Sequence, residues 1–452
     1  MPPKSEAGVQ QHGENHEIPT HLVVHKTGAW LPADHRTHKA WLGHQIDEAH
    51  KKQKPLRPVL QEFKEFVEND TRLWMLFSAM FEEVPYKHVY KKDPTGHRQI
   101  RNFDQMLVVL NHVFGSAPVW TDAAQQVGMV GVPMCAILDY PMSTPSGHAA
   151  FLDPGVNKML KKVLNEWGKF LLEPDSAKVL HTNRTGWLGE HGQNDMMAVA
   201  NAPLKTNHKF DDFFECDTSK PHYGYTSWDN FFTRKFKEEV RPIASPDDDN
   251  VITNCCESRT FAVRPNTKLR DRFYIKGQPY SIQDMLAQDS LAKQFADGTV
   301  YQAFLSALSY HRWHAPVSGT IKKAYVVDGT YFSEPLFEGL GDPNTKEIDT
   351  HGISSGQGYL SHLATRAIIF IEADNPKIGL MAFIGIGMDE VSTCEITVKE
   401  GQHVKKGEQT GMFHFGGSTH CLIFRPECKV SGFPQPGQDH NVPVRSKLAV
   451  VA

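Results

Sequence analysis

The sequence changes its hydrophobic pattern once, near residue 223, and this change constrains the fold more than any other feature. Before it, apolar residues recur every three or four positions, as at Val156, Leu160, Val163, Trp167 and Leu171. This spacing places apolar side chains on one face of an α-helix. After it, short β-branched segments alternate with Gly, Pro and Asn, which is typical of strands joined by tight turns. The sequence therefore predicts an α+β protein in which helices precede a β-rich part.

Three regions follow from this pattern. Residues 1–28 are polar and are predicted to be a disordered N-terminal segment. Residues 29–222 are predicted to form a helical N-terminal domain, and residues 223–452 a β-rich domain. Within the helical region, Pro58 precedes an apolar stripe and suits the first turn of a helix.

Composition excludes several classes of protein. The chain has 452 residues, with 48 Lys and Arg against 52 Asp and Glu, and a formal net charge of −4. This balance argues against a nucleic-acid-binding protein, so we expect no nucleic-acid partner. The most apolar window, residues 367–388, is interrupted by Glu372, Asp374 and Lys377. The sequence therefore predicts no transmembrane helix and no stable membrane anchor.

Cysteine and histidine usage predicts the compartment and argues against a metal site. The seven cysteines include no Cys-x-x-Cys pair, which is typical of a reducing compartment. The N-terminus lacks an apolar signal segment, so we expect a cytoplasmic protein. His35 and His38 belong to a histidine-rich stretch, but no cysteine or carboxylate spacing accompanies them. No metal site is predicted.

One stretch near the C-terminus has the pattern of a self-processing site. An apolar strand runs into Gly416 and Gly417 and then Ser418. Glycine permits backbone conformations that other residues resist, and a strained carbonyl beside a hydroxyl is what an N-to-O acyl shift needs. Gly-Gly-Ser is also a common turn sequence. The pattern alone leaves both interpretations open.

A second stretch contains two histidines three residues apart, His311 and His314. Pro316 biases Ala315 toward an extended conformation, which places the pair at the end of an element. The spacing lacks the glutamate of a zinc-protease HExxH motif, so that chemistry is not supported. By pattern alone, a structural role and a catalytic role for these histidines both remain open.

Several separated segments together resemble the phosphatidylserine decarboxylase family of pyruvoyl enzymes. The helical half is similar to the extra domain of soluble fungal members, which include tryptophan decarboxylases. The matching strings, in chain order, are YGYTSWDNFFTRKFKEEVRPI at 223–243, FYIKGQPYSIQDML at 273–286, YHRWHAPVSG at 310–319, GTYFSEP at 329–335 and GMFHFGGST at 411–419.

The resemblance implies that the chain is a proenzyme whose β-rich domain is catalytic. Ser418 would attack the carbonyl of Gly417, and the chain would be cleaved between them. Ser418 would become an N-terminal pyruvoyl group, the cofactor, whose carbonyls act as an electron sink during decarboxylation. Residues 1–417 would keep the cleaved chain 418–452 as their partner.

The resemblance also implies roles for the other site residues. His314 matches the family's base, and an acid must orient such a base. Glu257 stands where the family has an aspartate, with residues 247–249, three aspartates in a polar run, as alternatives. His311 matches the family residue that acts as the proton donor, and histidine suits general acid catalysis.

Three functions remain open at this point. The expected one is decarboxylation of a free aromatic L-amino acid, with tryptophan as the substrate. The alternatives are phosphatidylserine decarboxylation to phosphatidylethanolamine and a non-catalytic family member. We predict that aromatic residues near the motifs, Trp313, Phe332, Phe413 and Phe415, bind the substrate ring. Strand alternation predicts that Phe413 and Phe415 share one face, although all four also suit a core.

Overall fold

The computed structural model describes most of the chain. The described residues are 35–52, 54–84, 100–121, 132–142, 144–270, 280–333, 356–388, 390, 393–415 and 418–452. The segment 1–28, predicted to be disordered, lies outside them. So does Gly417, the first residue of the predicted cleavage site.

Helices occupy the first half of the described chain, as the apolar periodicity predicts. In chain order they are α1 His35–Lys51, α2 Pro58–Glu68, α3 Thr71–Glu83, α4 Phe103–Val113, α5 Pro133–Met142, α6 Pro145–Leu152, α7 Pro154–Leu172, α8 Glu190–Asn201 and α9 Phe210–Phe213. Three more short helices follow in the described residues: α10 Trp228–Phe232, α11 Ile282–Met285 and α12 Gln357–Leu363. The prediction of an α+β fold is confirmed.

The longest of these helices, α7, shows how the sequence specifies them. Pro154 occupies the first turn, where its missing N–H costs no hydrogen bond. The carboxylate of Asp153 caps the helix by accepting hydrogen bonds from the backbone N–H groups of Gly155 and Val156. The apolar stripe predicted from the sequence is buried, and Trp167 is fully enclosed.

Strands fill the second half and form three antiparallel sheets. The strands are β1 Val251–Thr253, β2 Arg259–Thr267, β3 Gly298–Leu305, β4 Arg312–His314, β5 Gly319–Val327, β6 Arg366–Ala373, β7 Leu380–Gly387, β8 Thr393–Ile396, β9 His403–Val404, β10 Gln409–His414, β11 Ser418–Phe424, β12 Val430–Ser431 and β13 Lys447–Val451. The large sheet has the order β2-β3-β11-β7-β6-β5-β9. The small sheets have the orders β4-β10-β8 and β1-β13-β12.

Strand β11 lies inside the large sheet and begins at Ser418. It pairs with β3 on one side and β7 on the other, and every residue in it is buried. Its side chains alternate between two apolar cores. Cys421 and Ile423 join the helix-side core, which also contains residues of α2, α3 and α7. Leu422 and Phe424 join the strand-side core, which also contains residues of β4, β7 and β10.

The chain turns sharply between β10 and β11. Strand β10 belongs to a small sheet and ends at His414, whereas β11 belongs to the large sheet. Phe415 has a φ of 41°, in the left-handed region that non-glycine residues seldom adopt. Its ring packs edge-on against Trp167 of α7, with the centroids 5.5 Å apart. The helical half therefore contacts the chain three residues before Ser418.

Candidate active site

Ser418 is a buried serine whose hydroxyl makes no hydrogen bond to the described residues. As the first residue of β11 it pairs with Leu305 of β3 and Gly387 of β7, and it has no exposed surface. Its Oγ has no hydrogen-bond partner among the described residues. A buried hydroxyl without a partner costs free energy. Such a group is expected where chemistry needs a free nucleophile.

His311 lies just before β4 and is also buried without a partner. Its ring stacks on Phe232 of α10, with the centroids 4.2 Å apart. Neither ring nitrogen has a hydrogen-bond partner within the described part of the chain. Burial and then the charge of Arg234 lower the pKa of His311 to about 3, so the imidazole is neutral near pH 7.

Arg234 is the nearby cation that acts on His311. Its guanidinium is buried and donates to the backbone carbonyls of Leu308 and Ser309, just upstream of the histidine. It also lies over the ring of Phe214, 4.5 Å from the centroid. No carboxylate of the described residues pairs with it. This buried positive charge therefore has only neutral hydrogen-bond acceptors within the described residues.

His314 ends β4 and has both ring nitrogens satisfied. Nδ1 lies 2.8 Å from the carbonyl oxygen of Gly407, and Nε2 lies 2.9 Å from the hydroxyl of Tyr310. The carbonyl partner fits a neutral ring that donates from Nδ1 and accepts at Nε2. Nε of Arg445 lies 3.3 Å from Nδ1 and donates to the same Gly407 oxygen at 3.0 Å. Burial and then the charge of Arg445 lower its pKa to about 3. Tyr310 is a site residue that the sequence analysis missed, although it belongs to the same motif.

Within the described residues, Glu257 makes its hydrogen bonds to groups other than His314, the base that it was expected to orient. Its Oε1 accepts from Nη2 of Arg241 at 2.7 Å, and its Oε2 accepts from Nε of Arg241 at 3.0 Å. Oε2 also accepts from the backbone N–H of Val444 at 2.9 Å. The physical reason is that a buried carboxylate needs a charged partner, and the arginine provides it with two parallel hydrogen bonds. The alternatives, residues 247–249, are exposed.

The four aromatic residues predicted to bind substrate do not line one slot. Trp313 and Phe413 lie in the strand-side core, with their ring centroids 4.7 Å apart. Phe332 and Phe415 lie in the helix-side core. The prediction that Phe413 and Phe415 share a face is wrong, because β10 ends at His414 and the positive φ of Phe415 reverses its direction.

His414 links helix α10 to strand β8 immediately before the turn. Its Nδ1 lies 2.7 Å from Oδ1 of Asp229 in α10, and its Nε2 lies 2.9 Å from Oε2 of Glu395 in β8. Burial alone would lower the pKa of His414, but the two carboxylates together raise it above its ordinary value. The sequence analysis treated His414 only as a strand position and missed these two carboxylate contacts. We call His414 with Asp229 and Glu395 the His414 clamp.

Comparisons with known proteins identify the relatives of this chain. Two family models, both described as phosphatidylserine decarboxylase, match residues 57–196 and 228–448. The chain is 42% identical to Decarboxylase iboD of Amanita muscaria, over 68% of this chain and 87% of the relative. It is 37% identical to L-tryptophan decarboxylase of Psilocybe cubensis, over 84% and 83%. It is 36% identical to L-tryptophan decarboxylase of Psilocybe cyanescens, over 90% and 91%.

The fold, the buried serine and these relatives define an enzyme of the carboxy-lyase class. The chain belongs to the phosphatidylserine decarboxylase family, whose members use a pyruvoyl group. The motif resemblance seen in the sequence is therefore confirmed. Among the described residues, no helix is both long and apolar enough to cross a membrane.

The Arg241–Glu257 ion pair predicts an asymmetric response to mutation. Glu257→Gln leaves a buried arginine without a counter-charge, which should destabilise the protein by about 3–5 kcal/mol. The double variant Arg241→Met, Glu257→Leu removes both charges and should recover most of that loss. Thermal melting measures both. Asp104→Asn, which breaks an exposed pair with Lys64, is the control and should cost less than about 1 kcal/mol. A Glu257→Gln effect as small as the control would contradict the interpretation.

The His414 clamp predicts a pH dependence of stability. Because the folded-state pKa of His414 is raised, its contribution is complete below the ordinary value of 6.5 and declines as the pH rises through the folded pKa. The melting temperature should therefore fall in His414→Gln, and by more near about pH 6 than near about pH 8. His403→Gln, which removes an exposed His–Asp pair, is the matched control and should show little effect. An equal loss at both pH values would rule out the charged clamp.

Proposed function

We propose that this chain is a pyruvoyl-dependent decarboxylase of free aromatic L-amino acids, with tryptophan as the preferred substrate. We also propose that it is made as a proenzyme that cleaves itself between Gly417 and Ser418. The observation that carries the proposal is the buried, unpartnered hydroxyl of Ser418 at the start of a central strand. The similarity to two relatives named L-tryptophan decarboxylase, over most of both chains, supports the substrate.

The residues present fit a pyruvoyl group at position 418. The Oγ that the conversion removes has no hydrogen-bond partner in the described residues, so no native contact is lost with it. His311 also retains two unsatisfied nitrogens in a fully buried position. Position 418 itself has no exposed surface, and exclusion of water protects reactive groups from side reactions. When formed, the group supplies carbonyls that accept the electron pair left by the departing carbon dioxide.

Maturation follows from a serine hydroxyl beside a glycine carbonyl. Ser418 Oγ attacks the carbonyl carbon of Gly417, the peptide C–N bond breaks, and an ester replaces it. Elimination then removes the Cα proton of residue 418 and breaks its Cβ–Oγ bond, which leaves dehydroalanine at position 418 and releases residues 1–417 with a C-terminal carboxylate. The dehydroalanine tautomerises to an imine, and water replaces its nitrogen, which leaves as ammonia. His314, neutral and held in one tautomer by Gly407, is the proposed base that removes the hydroxyl proton.

The proposed proton donor in decarboxylation is His311. Its pKa is low because the ring is buried beside the Arg234 cation. A substrate carboxylate bound to Arg234 would offset that charge and raise the histidine's pKa toward neutrality. Substrate binding would then raise the pKa of the histidine that later protonates the substrate. The unpaired guanidinium of Arg234 supports this arrangement.

Self-cleavage is tested by the mass of the purified chain. The wild-type protein should yield residues 1–417 and a 35-residue fragment, 418–452, whose blocked N-terminus carries the carbonyl group. Ser418→Ala should stay a single inactive chain because it has no nucleophile. Thr419→Ser, which keeps a hydroxyl at the next position, is the control and should be cleaved. Cleavage at the same bond in Ser418→Ala would overturn the proposal.

Replacement of His311 should separate maturation from turnover. His311→Ala should be cleaved normally and carry a full amount of carbonyl group, measured by hydroxylamine titration. Its carbon dioxide release should fall by about 10²–10⁴-fold, the range for loss of a general acid. An uncleaved His311→Ala chain would instead assign this residue to maturation.

Substrate preference is tested with one matured preparation. Tryptophan, phenylalanine, serine and phosphatidylserine are supplied separately, and carbon dioxide is measured. Burial of an aromatic ring is worth about 1.5–3 kcal/mol, which corresponds to a tenfold to hundredfold preference over serine. Phosphatidylserine as the best substrate would support the alternative function. No turnover of any substrate by a chain that also remains uncleaved would support a non-catalytic member.

A further inference from the structure

Two adjacent cysteines and a histidine converge behind the proposed site. Cys255 and Cys256 lie in the loop between β1 and β2, and His420 is the third residue of β11. The two sulfur atoms and a ring nitrogen all lie within 4.8 Å of one another. All three side chains have no exposed surface. The sequence shows no such cluster, because the histidine follows Cys256 by 164 residues.

His420 is the part of the cluster that points to a ligand. Neither of its ring nitrogens has a nitrogen or oxygen hydrogen-bond partner among the described residues, and the neighbouring group that can bond to it is the Cys255 thiol, a weak donor. Its ring lies near two aromatic rings, Phe383 at 6.1 Å and Tyr301 at 5.9 Å between centroids, which offer it no hydrogen bond. A buried imidazole whose neighbouring partner is only a weak thiol costs free energy, and a bound cation removes that cost.

Cys255 also differs from the other buried thiols. Its Sγ lies within 4.8 Å of the Cys256 Sγ and of a ring nitrogen of His420. Cys421 is also buried, but it lies on the opposite face of β11 and belongs to the helix-side core. Thiols that bind a metal lose their protons as they do so. Cys255 therefore belongs to a group of three donor atoms, and Cys421 does not.

We propose that Cys255, Cys256 and His420 bind one thiophilic metal ion, Zn²⁺ or Cu⁺. Two sulfurs and one imidazole nitrogen suit these soft or borderline ions and do not suit Mg²⁺ or Ca²⁺. Typical metal–ligand bonds of about 2.0–2.3 Å place ligand atoms roughly 3.5–3.8 Å apart, so the side chains need to close by about 1 Å. Binding releases one proton from each thiol that is still protonated.

The metal would hold in place the segments that carry the residues of the proposed site. His420 shares a face of β11 with Ser418, two residues away. The carbonyl oxygen of Cys255 accepts a hydrogen bond from the backbone N–H of His314 at 2.9 Å, and Glu257 follows Cys256 directly. The ion would thus join the segments that carry three site residues. This consequence rests on the proposed function, whereas metal binding itself does not.

Metal content of the uncleaved Ser418→Ala chain tests the site independently of maturation. The protein is purified from cells grown with added Zn²⁺ or, separately, copper, because a buried site is filled as the chain folds. Mass spectrometry of the metal should give about one ion per chain in one of the two preparations. Cys255→Ser and His420→Phe, added to this chain, should each lower that content at least tenfold. The preparation that retains metal identifies the ion.

Cys421→Ser is the matched control, because this buried thiol lies beside His420 on the opposite face of β11. It should keep the full metal content. Growth with Co²⁺ gives a second readout, since thiolate ligands produce a charge-transfer absorption that Cys255→Ser should abolish. Circular dichroism checks that each variant is folded. If His420→Phe does not fold, Cys255→Ser alone tests the site. Far less than one ion per chain in every preparation, or an equal loss in Cys421→Ser, would overturn the proposal.

Discussion

The buried Arg241–Glu257 ion pair is the interaction on which the relation between the two halves depends. The arginine donates to both carboxylate oxygens and also to the carbonyl oxygen of Ala200 at the end of α8. Its guanidinium lies 4.6 Å from the ring centroid of Phe213 in α9. Glutamate in turn accepts from Val444 near the C-terminus. One charge pair therefore connects the helices, the β1–β2 loop and the last segment of the chain.

This arrangement explains why a glutamate stands where the family resemblance suggests an aspartate. The carboxylate must reach Arg241 and the N–H of Val444 together, and the extra methylene lengthens its reach. Because both oxygens of Glu257 already accept hydrogen bonds, the carboxylate has little capacity to accept another from His314. Its segment reaches His314 only through the carbonyl oxygen of Cys255, which accepts a hydrogen bond from the backbone N–H of that histidine. His314 is instead oriented by Gly407 and Tyr310.

Local signals predicted more of this molecule than long-range contacts did. The helical stripe of α7 follows from its 3.6-residue period. Motifs singled out Ser418, His311 and His314, and the structure buries all three. The ion pair of Glu257 was not predicted, because its partner Arg241 lies 16 residues upstream and hydrophobic periodicity does not show where that side chain points. The alternation rule failed at Phe415 because tertiary packing on Trp167 outweighed the cost of a positive φ. The clamp at His414 has the same origin, since its carboxylates lie on α10 and β8.

The position of Ser418 has a consequence for the proposed cleaved enzyme. Residues 418–424 pair with β3 along one edge and with β7 along the other. Farther along the same fragment, β13 pairs with β1 and β12. Release of the fragment would break two ladders in the interior of the large sheet and expose a fully buried strand to water. In the proposed cleaved enzyme the sheet would therefore hold residues 418–452 without a covalent link, and the new chain end at position 418 would stay buried.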